Sequence, residues 1–182
     1  MKLQKITKVT DIDKRKIVLD GCMVTYTGIV FDLMNPDPDL ITIKDIAHGL
    51  AFNCRWNGHT KLYYSVAEHC VRMSIKVKPE LKLTALFHDA EEAYWGDIIK
   101  PLKEIIKINS PDILIKMKEL RHLIYNKFKV PFLNIDEPDW NELLWDFENL
   151  ILYDMTFKNT MSPRKAELNW IKTFYNLTTR IK

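Results

Sequence analysis

The sequence predicts an all-α helical bundle that carries a short β-hairpin or ribbon at its N-terminal end. Three observations predict it. Residues 1–35 are rich in β-branched and aromatic side chains and contain the turn pairs Asp20-Gly21 and Thr27-Gly28. From Thr42 onward, apolar residues recur every three or four positions, and Ser, Thr or Pro repeatedly opens a new run. Between the two lies Asn35-Pro36-Asp37-Pro38-Asp39, a rigid loop, because its prolines have no amide hydrogen to donate.

In chain order, Lys16–Leu19 and Met23–Leu33 are the strand-forming stretches of the leader. Thr42-Ile43-Lys44-Asp45 starts the first helix, with Ile46, Ala47, Leu50 and Ala51 as its apolar side. Asn57-Gly58 breaks the chain. Ser65-Val66-Ala67-Glu68 is a capping box. The Ser65 hydroxyl can accept from the Glu68 amide while the Glu68 carboxylate reaches back, opening a helix to about Val77. Pro79 leads into a helix over Leu81–Tyr94 that Gly96 ends. Ser110-Pro111 opens a long helix to about Phe128, with Ile113, Leu114, Met117, Leu120, Leu123 and Ile124 on one side. Pro138 starts another through about Leu152. Ser162-Pro163 starts the last, striped by Leu168, Ile171, Phe174 and Tyr175.

The 182 residues suit a single domain, residues 1–182, with a β-rich leader over 1–35 and a helical core over 42–182. A 47% apolar and 28% charged composition is that of a folded chain. The net charge of +3 is too small to argue for a nucleic-acid partner. Lys2, Lys5, Lys8, Lys14 and Lys16 read as a solvated face. Cys22, Cys54 and Cys70 form no CxxC pair and are odd in number, which fits a reduced, cytoplasmic compartment. Apolar runs are broken by charges well short of a membrane span, so no membrane partner is expected.

Chemistry concentrates at His88-Asp89. These two residues end the apolar run Leu83-Thr84-Ala85-Leu86-Phe87, where burial is expected. Polar groups on a packed helix face cost several kcal/mol unless something satisfies them, and a metal ion does so. Glu92 follows His88 by four residues and Asp89 by three, so a continuous helix puts all three on one face. His69 heads a different helix, flanked by apolar Val66, Ala67 and Val71. Inward histidines and carboxylates from separate helices are how bundles build metal sites. The competing reading makes each histidine a hydrogen-bonded core residue.

The motifs Arg55-Trp56, Ser65-Val66-Ala67-Glu68-His69, Ala85 to Asp97 (ALFHDAEEAYWGD) and Lys100-Pro101-Leu102-Lys103 resemble HD-domain phosphohydrolases. The chain is most similar to bacterial 5′-deoxynucleotidases and their phage and prophage cousins, which share Tyr26-Thr27-Gly28, Asn35-Pro36 and Asp45-Ile46-Ala47-His48. The likeness runs from about residue 22 to 152. It implies ligation of one divalent metal ion (Mn²⁺, Co²⁺, Fe²⁺, Mg²⁺ or Zn²⁺) by His69, His88, Asp89 and a distal aspartate. Asp139 is the first candidate for the last, and Asp136 the second. It also implies that Glu92 and Asp97 orient the attacking water or the leaving group, or hold a second metal. Arg55 and Lys103 would grip phosphate, and Trp56 would pack near sugar or base. His48 and His59 are expected to have structural roles, and His122 to be exposed.

The expected activity is therefore hydrolysis of a small-molecule deoxynucleotide by metal-activated water, of the 5′-nucleotidase type. Alternatives are a dNTP triphosphohydrolase releasing tripolyphosphate, a phosphodiesterase of signalling nucleotides, and a degenerate nucleotide-binding scaffold. Relatives of this kind often dimerise, so a homo-oligomer, a dimer or larger, belongs to the same expectation.

Overall fold

A computed structural model describes residues 21–132 and 159–179. The described chain is helical apart from one two-stranded antiparallel ribbon, β1 (Cys22–Val24) and β2 (Val30–Asp32). Its register pairs Met23 with Phe31. The turn signal Thr27-Gly28 sits at the ribbon's tip, where Gly28 takes φ +82°, a conformation that suits a residue without Cβ. Both strands thus come from the stretch read as Met23–Leu33, with β1 starting one residue earlier at Cys22. The expected strand at Lys16–Leu19 lies outside the described residues.

The ribbon is fastened to the first helix by a buried carboxylate. Asp45 accepts from the Thr27 amide (2.8 Å), the Thr27 hydroxyl (2.7 Å) and the Thr42 hydroxyl (2.7 Å). Thr42 returns the favour as N-cap, accepting from the Asp45 amide at the head of α1 (Ile43–Phe52). Ile46, Ala47, Leu50 and Ala51 form the buried side of α1, as their spacing predicts. His48 is stacked between Tyr26 and Phe52 and lies 3.3 Å from Glu167, a structural bridge between helices.

Then follow α2 (Val66–Lys76), α3 (Lys82–Phe87), α4 (Glu92–Trp95), α5 (Lys100–Asn109), α6 (Pro111–Phe128) and α7 (Pro163–Thr179). Helix α7 packs across α1, α2 and α3, and α1 lies so close to α4 that a Cβ on Gly49 would meet the Ala93 carbonyl at 2.6 Å. The core centres on Phe31, Ile46, Leu50, Leu86, Phe87, Leu120, Ile124 and Trp170. Among the described residues no helix is long and apolar enough to cross a membrane.

Four expectations need correction. The run Leu81–Tyr94 is not one helix: α3 ends at Phe87, a turn spans residues 88–91, and α4 begins at Glu92. Tighter bonds replace the α-helical ladder there, with the Ala90 amide donating to Phe87 O (2.9 Å) and Glu92 to Asp89 O (2.9 Å). Helix α5 was not anticipated. It buries no residue, so no core stripe announces it, although Pro101 in its first turn is a start signal. The stripe of α7 is Ala166, Trp170 and Phe174, while Leu168 and Tyr175 are exposed. On α6, Ile113 is exposed and the buried set is Met117, Leu120, Ile124 and Tyr125.

The capping box is half formed. Ser65 Oγ accepts from the Glu68 amide at 3.1 Å. The fully buried Glu68 carboxylate turns away, accepting from Arg72 Nε (2.9 Å) and from the Met161 amide (2.7 Å). It ties α2 to the start of α7, a better use of a buried charge than one backbone amide. The helix expected from Pro138 lies outside the described residues.

Candidate metal centre

His69 occupies the first turn of α2, where the Ser65 cap fixes the helix start and Val66, Ala67, Cys70 and Val71 bury the face around it. His88 and Asp89 sit in the turn where α3 stops. The structure brings these three together: His69 Nε2 lies 3.2 Å from His88 Nε2 and 3.9 Å from Asp89 Oδ2, and His88 Nε2 lies 2.8 Å from Asp89 Oδ2. All are buried, and their ligand atoms fall within 4.8 Å of one another, a group able to hold a metal ion.

The donor chemistry fits such an ion. His88 Nδ1 faces the Ala85 carbonyl at 2.7 Å, and a carbonyl only accepts, so that nitrogen carries a proton. In the neutral ring Nε2 then presents its lone pair to an imidazole nitrogen and a carboxylate oxygen. Lone pairs crowded this closely repel unless a proton or a metal cation sits among them. Burial opposes ionisation of Asp89, but His88, then His69 and Arg55, outweigh it and hold the carboxyl well below its ordinary range. Two nitrogens and one ionised oxygen are a ligand set for a borderline divalent ion.

Around this centre the structure gathers five further residues of the sequence reading. Arg55 is buried, with Nη1 3.5 Å from Asp89 Oδ2. Glu92 starts α4, so it reaches the site from a new helix rather than from the same wheel as His88. Its Oε1 meets Lys103 Nζ at 3.3 Å, and its Oε2 is buried with no hydrogen-bond partner among the described residues. Burial, then the charge of Asp89, push the Glu92 carboxyl well above its usual range, with Lys103 opposing. Asn53 Nδ2 donates to the Glu92 carbonyl (3.3 Å), anchoring it to the end of α1.

Asp97 makes a contact that spacing does not announce. Its Oδ2 accepts from the Trp56 amide at 2.8 Å. Trp56 and Asn57 are consecutive non-glycine residues in the left-handed region (φ 58° and 51°). Such conformations cost about 1–2 kcal/mol per residue for L-amino acids. The carboxylate therefore holds a strained turn, and that turn carries Arg55 to Asp89. Asp97 is a positioning residue here. For the hydrolysis that the sequence leads one to expect, Asp97→Ala should lower kcat/KM about a hundredfold, the scale of a misplaced substrate grip, while leaving the fold intact. Steady-state kinetics beside a thermal melt check this; unchanged kinetics in a folded variant count against it.

The remaining residues separate cleanly. His122 is exposed on α6, as expected. Asp139 and Asp136 lie outside the described residues. Two residues near the centre were not anticipated: the buried Glu91, two residues past Asp89, and its partner, the half-buried Arg121. The signal was available, since Arg121 falls four residues after Met117 and three before Ile124, within the buried stripe of α6.

No protein-family model matches the chain. It is similar to the uncharacterized protein RCAP_rcc00048 of Rhodobacter capsulatus, 45% identical over 89 residues, or 44% of this chain and 45% of that protein. It is also similar to the uncharacterized protein YfdR of Escherichia coli, 38% identical over 107 residues, or 59% of this chain and 58% of that protein. The chain thus spans about half the length of the curated relatives it matches, and their names state no activity.

Proposed function

We propose that the chain is a metal-dependent phosphohydrolase of the HD type that acts on deoxynucleotides, with 5′-nucleotidase activity. The observation that carries this reading is the convergence of His69 from α2 with His88-Asp89 from the α3–α4 turn, beside a buried arginine. A divalent ion on His69, His88 and Asp89 would activate water and neutralise phosphate charge. Asp139 completes the ligand set in this proposal.

The chain's own residues supply the rest. Phosphoryl transfer depends on positioning and charge neutralisation more than on covalent chemistry. Arg55, held by the Asp97-clamped turn, and Lys103, at the rim beside Glu92, offer positive charge to phosphate oxygens. Glu92 has a carboxyl pKa that burial raises well above its usual range, which suits it to hold a proton for the leaving oxygen. Trp56 edges the sugar or base. The cysteines stand as thiols, in keeping with a reduced, cytoplasmic setting.

The test is phosphate release from panels of dNMPs and dNTPs, by metal-stripped protein and after adding Co²⁺ or Mn²⁺. Metal-dependent orthophosphate from monophosphates is the expected result. Tripolyphosphate from dNTPs would transfer the assignment to the triphosphohydrolase branch. Absence of metal-dependent release from both panels overturns the proposal.

A further inference from the structure

Arginine 121 stands in the apolar stripe of α6, between Met117 and Tyr125, where a charge is expensive. Its Nη2 donates to Glu91 Oε1, and the Glu91 side chain is 1% exposed. Glu91 lies two residues past Asp89, in the turn that interrupts the helix. Its backbone is fixed as well: the Glu91 carbonyl accepts from the Tyr94 (3.0 Å) and Trp95 (3.2 Å) amides at the head of α4.

The pair is poorly satisfied. Glu91 Oε2 and Arg121 Nε are both buried with no hydrogen-bond partner among the described residues. The Glu91 carboxylate is buried while the Arg121 side chain is 32% exposed, so desolvation of the carboxylate offsets much of a partly screened Coulombic gain, and added stability is a weak account of the pair. Its placement gives a better one. The Arg121 cation is held by Glu91 and also feels Asp89. Without Glu91, the arginine's charge would be left uncompensated and would compete with a cation for Asp89. Without Arg121, the buried Glu91 carboxylate would lose its cation in the ligand turn and be drawn toward water, carrying Asp89 with it.

We propose that the Glu91–Arg121 ion pair is a positioning device through which α6 sets the cation affinity of the His69–His88–Asp89 cluster. This rests on the metal-centre reading given above. The pair touches neither substrate nor ion. It fixes the turn that carries two of the ligands and neutralises the charge behind them.

The experiment is titration of metal-stripped protein with Co²⁺, read by calorimetry and by the ligand-field absorption of bound cobalt, with a thermal melt of each variant. Glu91→Gln and Arg121→Met should each weaken Co²⁺ binding about 10–100-fold, the range for residues that orient metal ligands. Glu91→Gln/Arg121→Met should bind more tightly than either single variant, because no charge is left unpaired. Arg121→Lys, which keeps the charge, should lose least. A purely structural pair would lower the melting temperature and leave cobalt affinity and spectrum alone. Wild-type affinity in folded Glu91→Gln and Arg121→Met, or strictly additive losses in the double variant, overturns the inference and leaves the metal centre standing. Failure of the wild-type protein to bind Co²⁺ overturns both.

Discussion

Replacing His88 with alanine is expected to abolish tight Co²⁺ binding and to lower metal-dependent phosphate release by about a thousandfold. The figure follows from loss of roughly 4 kcal/mol of charge stabilisation at the reacting phosphate, at about 1.4 kcal/mol per tenfold in rate. His88 is the hinge of the cluster. Its Nδ1–H donates to Ala85 O at 2.7 Å, which fixes the ring, and its Nε2 lies nearest to both other ligand atoms. Removing the ring leaves His69 Nε2 and Asp89 Oδ2 3.9 Å apart, one on α2 and the other in the α3–α4 turn. Two donors on separate elements cannot chelate as three do. Calorimetric titration with Co²⁺ and the phosphate assay read the two effects separately. His122→Ala, on the exposed side of α6, is the matched control and should behave as wild type. Undiminished cobalt affinity in His88→Ala would remove the cluster from the mechanism.

What the sequence revealed and what it hid differ in physical kind. Local side-chain-to-backbone chemistry was legible: Thr42 and Ser65 are N-caps, and α1 and α2 begin where these residues predict. The break at 88–91 was not legible, because apolar spacing continues straight through Leu83 to Tyr94. The bonds that break the helix there, such as His88 Nδ1 to Ala85 O, leave no mark on periodicity. The α7 stripe was misread for a related reason. Leu168 and Tyr175 are as apolar as the buried set, yet packing against α1, α2 and α3 turns Ala166, Trp170 and Phe174 inward, and that phase is a tertiary fact. For the site, spacing gave His88, Asp89 and Glu92 as neighbours and His69 as inward-facing. That α2 and the α3–α4 turn meet within hydrogen-bond distance is a tertiary fact that spacing cannot carry. Arg121 showed itself as a charge within the α6 stripe, but its pairing with Glu91, thirty positions away, was hidden in the same way.

The largest effect on stability should come from a residue far from the ligands in sequence. Trp170 is fully buried in α7, with its ring centroid 5.0 Å from that of Phe87 and 6.2 Å from that of Phe174, and its Nε1–H donates to Leu86 O at 3.2 Å. Trp170→Ala is expected to cost about 3–5 kcal/mol, from lost burial and the cavity left behind. In a domain of this size that lowers Tm by about 6–20 °C. Trp170→Phe keeps most of the volume and loses the indole donor, so its cost should be nearer 1 kcal/mol, that of one hydrogen bond. Thermal and urea unfolding give both values, and a Trp170→Ala melt within about 2 °C of wild type would contradict the packing argument. Leu86 and Phe87 immediately precede His88, so the same ring braces the end of α3 from which the ligand turn departs. Metal that binds only the folded chain raises stability by RT ln(1 + [L]/Kd). If Trp170 only fills the core, saturating Co²⁺ should stabilise wild type and Trp170→Ala equally. If it also holds α3 against the ligand turn, the variant's Kd rises and its gain from cobalt shrinks. The latter is the expected result.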